Sequence, residues 1–261
     1  MYLTKQNIAP KSRLTYYISG KRKVLSGVLW RTLPKKSIFH QGKFNTCSVV
    51  GSSGILSNSN CGKVIDSADF VVRFNLAPVK GFETDVGSKT NFTTINPSFI
   101  QKNMDPYKNQ TNAKRLSGTL EQFRDGLLFL PAFGHVQATR IMERTAKVAG
   151  SPGLMHPVYG SPKHFAAITK LWKVALKFNK WRRLSTGLYI TSSLFDLCDR
   201  LSLFGFWPYA TWADGKRNIS YHYHDKVRGK RFHDFNREFQ ALLSLHQRGI
   251  VKIQLGPCPE T

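Results

Sequence analysis

Hydrophobic and polar positions change period repeatedly along this chain, and each change marks an element. The run CSVVG from residue 47 reads as a short buried strand, GSSGILSNSNCG as a Gly/Ser/Asn loop and DFVVRFN as a second strand. Further strands are expected at NFTTIN, GLLFLPAF, HPVYG, LSLFGFW and IVKIQL. Helical spacing covers 135–149, 162–178, 186–199 and 235–248. Strands alternating with helices imply an α/β fold with a largely parallel sheet, which binds ligands beyond the carboxyl ends of its strands. The GSSG loop and the turn after LSLFGFW are expected at those ends. Residues 1 to about 45 are basic and weakly periodic, and read as a lead-in, a stem remnant or a solvated arm. Residues 46–261 read as one domain, with no internal repeat and no dividing linker.

Composition narrows this little, because 261 residues with 41% hydrophobic and 12% aromatic content suit a single α/β domain and exclude collagen, coiled coil and wholesale disorder. Charge says more. The 39 Lys and Arg against 15 Asp and Glu give +24, which calls for an anionic partner. Nucleic acid, nucleotide sugars, sialylated glycans and acidic membrane leaflets all answer to such a field.

Cys47, Cys61, Cys198 and Cys258 lack the CxxC or CxxH spacing of zinc sites, so two disulfides in an oxidising lumen fit better than metal. Four cysteines permit three pairings, and the residues alone select none. Sequons at Asn91, Asn109 and Asn218 are compatible with secretory passage. No run approaches the roughly 20 apolar residues of a membrane helix, so any anchor is expected outside this chain.

Three stretches carry candidate chemistry. The GSSGILSNSN loop offers small residues, hydroxyls and backbone N–H groups to a phosphate or ribose. In LSTGLYITSS, Ser185, Thr186 and Gly187 stand at a helix start, where unpaired N–H groups favour an anion; the plainer role is an N-cap. Near the C-terminus His222, His224 and His233 lie beside Asp225, Asp234 and Glu238, a pattern suited to proton transfer or to zinc. The chain has no DxD triplet, by which many glycosyltransferases hold a divalent ion on a diphosphate donor. A monophosphate donor does without that ion.

Four segments, in order, resemble the sialylmotifs of eukaryotic sialyltransferases. The long motif resembles CSVVGSSGILSNSNCGKVIDSADFVVRFNLAPVKGFETDVGSKTNFTTINPS from Cys47, and the small motif LSTGLYITSSLFDLCDRLSLFGFWPY over 184–209. The third resembles HYHD, and the very small motif resembles His233 through Glu238. The tail FGFWPY, with the pair Cys61 and Cys258, is similar to the α-2,8 branch.

The resemblance implies a single-domain, modified Rossmann-like fold (a GT-A variant) with a central, mostly parallel sheet. It also implies disulfides Cys47–Cys198 and Cys61–Cys258, and a type II Golgi anchor absent from this chain. The implied activity is inverting, metal-independent transfer of sialic acid from CMP-sialic acid to a sialylated glycolipid or glycoprotein, with no nucleic-acid partner and no cofactor. His233 resembles the base that deprotonates the acceptor hydroxyl, His222 the histidine at the donor phosphate, and Glu238 an acid that orients His233. Asn75, Ser185, Thr186, Gly187 and Trp207 match donor-contacting positions. Ser52 stands where Asn is usual, Phe74 where Cys is common and His224 where Tyr is common, and HDFNREF lacks the usual Met-Pro. Those departures keep open a second class, a catalytically weak or inactive basic binder of acidic glycans. A third is a zinc protein using His222, His224 and His233. The basic segment 163–183 suits a polysialic chain or a solvated helix face.

Overall fold

The structure is a computed structural model that describes residues 1–37, 39, 43–177, 183–226 and 233–259. Among them the strands are β1 (Arg13–Thr15), β2 (Arg22–Val24), β3 (Phe44–Val50), β4 (Phe70–Arg73), β5 (Phe92–Thr94), β6 (Leu127–Leu130), β7 (His156–Tyr159), β8 (Cys198–Phe204) and β9 (Lys252–Gln254). The helices are α1 (Gly27–Thr32), α2 (Gly62–Asp66), α3 (Glu83–Val86), α4 (Pro97–Asn103), α5 (Gln110–Leu120), α6 (Val136–Ala149), α7 (Pro162–Ala175), α8 (Thr186–Ser193) and α9 (Phe235–Gln247). Two compact units result, Met1–Gly42 with Asn91–Ile168, and Lys43–Thr90 with Thr169–Thr261.

In the first unit β5, β6 and β7 form a parallel ladder with Thr93 opposite Leu128 and Phe129 opposite Val158. Every residue of β6 is buried, as an apolar run in a parallel sheet requires. Helix α6 turns Ile141, Met142, Ala146 and Ala149 inward, and its N-cap is His135, whose side chain accepts the Ala138 N–H. Residues before 37 belong to the same unit. β1 and β2 pair antiparallel, the Leu3 N–H donates to the Tyr159 carbonyl at 2.8 Å, and Tyr2, Leu14, Tyr16, Leu25, Leu29 and Leu33 are buried. The basic residues Lys21, Arg22 and Lys23 stay exposed, so charge dominates the composition of a segment whose apolar minority is packed.

The second unit contains a four-strand parallel ladder in the order β4-β3-β8-β9. Val49 lies opposite Val72 on one side and Leu203 on the other, and Leu203 faces Ile253. Val49, Val71, Val72 and Leu203 are fully buried and form its centre. Both implied disulfides are present: Cys47–Cys198 joins neighbouring strands β3 and β8, and Cys61–Cys258 ties the loop after β3 to the C-terminal segment.

The parallel α/β class, the strands from 47 onward and the helices at 136–149, 162–175 and 235–247 agree with the sequence pattern. The expected helix 186–199 is shorter. It stops at Ser193, and Cys198 already pairs with Phe44 as the first residue of β8. Helical spacing runs through LFDLC without a breaker, but the strand register and the Cys47 bridge claim that segment. Helix α5 was not legible because only Leu116 and Leu120 of its eleven residues are buried. Among the described residues no helix is long and apolar enough to cross a membrane.

Candidate active site

Ser52, Asn75 and Trp207 follow the carboxyl ends of β3, β4 and β8, which are adjacent and parallel, so their loops leave the sheet at one edge. The backbones meet closely there. A Cβ on Gly51 would lie 2.4 Å from the Gly205 carbonyl oxygen, and Gly205 holds φ +70°. Asn75 and Leu76 are both left-handed, at φ 53° and 51°, which turns the chain sharply at the end of β4.

Little of the GSSG loop is left for the phosphate cradle expected from its composition, because the N–H groups of Gly51, Ser53, Gly54, Asn58 and Asn60 already have partners. Gly51 donates to Phe204, Ser53 to Gly205 and Gly54 to Ser220, while Asn58 and Asn60 donate to the Asp85 carboxylate at 2.8 and 3.0 Å. The loop instead holds the HYHD segment. Besides the Gly54–Ser220 bond at 3.0 Å, the Tyr223 N–H donates to the Ser52 carbonyl at 2.9 Å. Ser220 in turn donates to the His222 carbonyl at 2.7 Å, and the Tyr223 hydroxyl to the Pro78 carbonyl at 2.7 Å. Burial pushes the Tyr223 phenol up to about 12, so it acts as a neutral clamp.

That clamp fixes His222. Its Nδ1 donates to Asp225, 2.9 Å from Oδ1 and 3.0 Å from Oδ2, which directs Nε2 away from the carboxylate. His224 stacks on His222 with ring centres 5.0 Å apart, and its Nδ1 lies 3.4 Å from Asp225 Oδ2. Burial lowers the pKa of His224, opposed by the Asp225 charge.

His233 sits one residue before Asp234, the N-cap of α9, whose side chain accepts the Arg237 N–H. The His233 Nδ1 lies 2.8 Å from the Arg183 carbonyl. A carbonyl only accepts, so Nδ1 carries the proton and Nε2 is the unprotonated nitrogen of the neutral ring. Burial lowers the His233 pKa, the Arg183 carbonyl raises it in part, and the Arg183 charge lowers it further, favouring the neutral imidazole that a base needs. One turn into α9, Glu238 is 3% exposed. It accepts the Ser185 N–H at 2.9 Å and pairs its other oxygen with the Ser185 hydroxyl. Burial raises its pKa to about 7, against the lowering effect of both Ser185 bonds. Ser185 is also the N-cap of α8 and accepts the Leu188 N–H at 3.0 Å, so Thr186 and Gly187 open a helix whose start is fixed by α9. Glu238 and His233 thus bond two positions of one short segment, Ser185 and Arg183.

Aromatic rings join the remaining parts. Trp207 meets Tyr209 edge-on and Trp212 at a tilt, and lies 5.5 Å from Phe239, the neighbour of Glu238. Its indole N–H is used on the Thr211 carbonyl at 3.0 Å, leaving only ring surface for a ligand. Tyr221 lies 4.5 Å from the His222 ring and 6.3 Å from Phe235, which lies 5.3 Å from His233. The two histidines are therefore connected through two rings. Zinc held by His222, His224 and His233 does not match this arrangement, because the three-residue metal-competent group among the described residues is His222, His224 and Asp225. Sequence reasoning passed over Ser220, Tyr221 and Tyr223; Asp225 was visible in HYHD, but the Arg183 carbonyl carries no side-chain signal. In the segment 163–183, Lys163, Lys170, Lys173 and Lys177 are exposed, whereas Lys180 and Arg182 lie outside the described residues.

The model of glycosyltransferase family 29 (sialyltransferase) matches residues 3–250. The chain is 33% identical over 263 residues to alpha-2,8-sialyltransferase 8E of Rattus norvegicus, covering 99% of this chain and 68% of that protein. It is likewise 33% identical to alpha-2,8-sialyltransferase 8F of Mus musculus, covering 98% and 65%. The chain thus spans about two thirds of the length of these curated relatives. A crystal structure of a mammalian sialyltransferase in complex with Gal-beta-1-3GalNAc-ortho-nitrophenol superposes with a TM-score of 0.53 at 23% identity, covering 92% of this chain and 76% of that one. A second mammalian sialyltransferase structure gives 0.54 at 22% identity, over 98% and 89%. These likenesses support the fold.

Proposed function

The chain belongs to glycosyltransferase family 29, the sialyltransferases, and from that premise we propose that it transfers sialic acid from CMP-sialic acid to a sialic acid ending a glycolipid or glycoprotein glycan, in α-2,8 linkage. The observation that carries this is the fixed tautomer of His233, whose Nδ1 is committed to the Arg183 carbonyl at 2.8 Å. Nε2 takes the proton of the acceptor hydroxyl as that oxygen attacks the anomeric carbon. His222, oriented by Asp225, stands at the donor phosphate and steadies the charge that grows as CMP leaves. A base on one side and a charge-stabilising group on the other serve a single displacement with inversion. Ser52, Asn75, Thr186, Gly187 and the Trp207 ring are assigned to the donor, around the loop ends and the helix start.

The monophosphate donor and the missing DxD triplet support transfer without a divalent metal. Two disulfides and three sequons support work in an oxidising lumen, that of the Golgi. The reading as a non-catalytic binder is not favoured, since the relatives described above bear the names of transferases. Purified protein incubated with CMP-sialic acid, EDTA and a sialylated acceptor should release CMP and yield an α-2,8-linked product. His233→Ala should lose about 10²-fold or more of that activity. Full transfer by His233→Ala would remove the assigned base, and CMP release that needs added metal would remove the metal-independent mechanism.

A further inference from the structure

Two imidazoles and one carboxylate converge beside the proposed donor site in a way that proton transfer does not require. His222 Nδ1 is 2.9 Å from Asp225 Oδ1, and His224 Nδ1 is 3.4 Å from Oδ2 of the same carboxylate. The two rings are stacked with 16° between their planes, and each sets its Nδ1 near one oxygen of the same carboxylate. A ligand atom from each of the three residues lies within 4.8 Å of the others, and all three are half-buried. Asp225 orients His222 without any help from a second imidazole, so His224 brings nothing to that hydrogen bond.

We propose that His222, His224 and Asp225 form a binding site for a first-row divalent metal ion of the zinc class, and that its occupation slows transfer. Imidazole nitrogen and carboxylate oxygen bind zinc at roughly 2.0–2.2 Å, which places tetrahedral ligand atoms about 3.3–3.6 Å apart. The His224–Asp225 spacing of 3.4 Å already falls there and all the ligand atoms lie within 4.8 Å of one another, so binding needs the 2.9 Å His222–Asp225 contact to open slightly and the two imidazoles to close on the ion. Three protein ligands leave one position open to water or to a donor oxygen, and among metals this imidazole-rich set suits zinc over magnesium or calcium. The metal takes the place of the proton on each Nδ1, and each displaced proton is carried by Nε2 or lost to solvent. A metal on Nδ1 displaces the hydrogen bond to Asp225 that sets the orientation of the His222 ring, so His222 is no longer aimed as the proposed contact with the departing phosphate requires.

Binding is independent of the proposed activity; only the inhibitory effect rests on it. The full chain, stripped with EDTA and dialysed, is titrated with zinc by calorimetry, and cobalt(II) is added in parallel to read the visible bands of a four-coordinate site. The expected result is about one ion per chain, with affinity at least about tenfold weaker in His224→Phe and in Asp225→Asn, as loss of a ligand demands. Zinc should raise the melting temperature of the original chain more than that of either variant. Equal zinc affinity in the original chain and both variants would overturn the site. Zinc should also inhibit CMP release from CMP-sialic acid, reversibly with EDTA, in the original chain but not in His224→Phe; equal inhibition of the two would overturn the coupling. A chain that binds zinc through these residues but never releases CMP would retain the site and refute the sialyltransferase activity, which keeps the two failures apart.

Discussion

The buried carboxylate of Glu238 takes the backbone N–H of Ser185 at 2.9 Å and faces the Ser185 hydroxyl with its second oxygen. Two residues earlier in the chain, the Arg183 carbonyl holds His233. The start of α9 thus grips the start of α8 at two points, and the candidate base is one of them.

Glu238→Ala leaves the buried Ser185 N–H without its partner, a loss of about 1–3 kcal/mol. Glu238→Gln keeps a carbonyl oxygen for that N–H and should cost less. Urea unfolding should rank the original chain above Gln and Gln above Ala, and transfer should follow that order through kcat rather than KM for donor. An Ala variant as stable and as active as the original chain would detach Glu238 from the positioning of His233.

The same carboxyl makes stability depend on pH. Burial raises it from 4.5 to about 7, so between those values the folded chain holds a proton that the unfolded chain has released. Its contribution is complete below about pH 4.5 and is lost as pH rises through about 7. Melting temperatures measured from pH 4 to 8 should show a falling component that Glu238→Gln lacks. Parallel curves for the two would refute the raised value.

Gly54→Ala tests the clamp on the HYHD segment. An added Cβ would lie 2.1 Å from the Ser220 hydroxyl and 2.6 Å from its carbonyl oxygen, and the latter is backbone. The segment bearing His222 must shift, at a cost of roughly 1–3 kcal/mol. Calorimetric melting should register that loss, and KM for CMP-sialic acid should rise. Unchanged melting and KM would show that the loop does not position His222.

Replacing both Cys61 and Cys258 with Ala opens a closure of 197 residues and should destabilise the chain by about 2–5 kcal/mol. Single replacements leave a stray thiol, so the double variant gives the cleaner unfolding curve. Peptide mapping without reduction should join Cys61 to Cys258 and Cys47 to Cys198. Any other pairing would contradict the structure.

Much of the site was legible because its side chains are of rare types in a fixed order: His222, His233 and Glu238 stand out in any reading of the tail. The GSSG loop misled, because composition shows which N–H groups exist and not which are already bonded. Asn58 and Asn60 look like ligand contacts until Asp85, 25 to 27 residues later, takes their N–H groups. The lead-in was likewise read by its charge, while Tyr2, Leu3 and Leu14 inside it are buried.

By itself the sequence determined the parallel α/β class and which side chains are candidates for the chemistry, since apolar periodicity and side-chain type are local properties. Only tertiary structure decided where the helix from Thr186 ends, which carbonyl fixes the proton of His233, and that His224 shares Asp225 with His222. Each of those depends on a partner remote in sequence or on the turn of a backbone, and neither is written in the identity of the residue concerned.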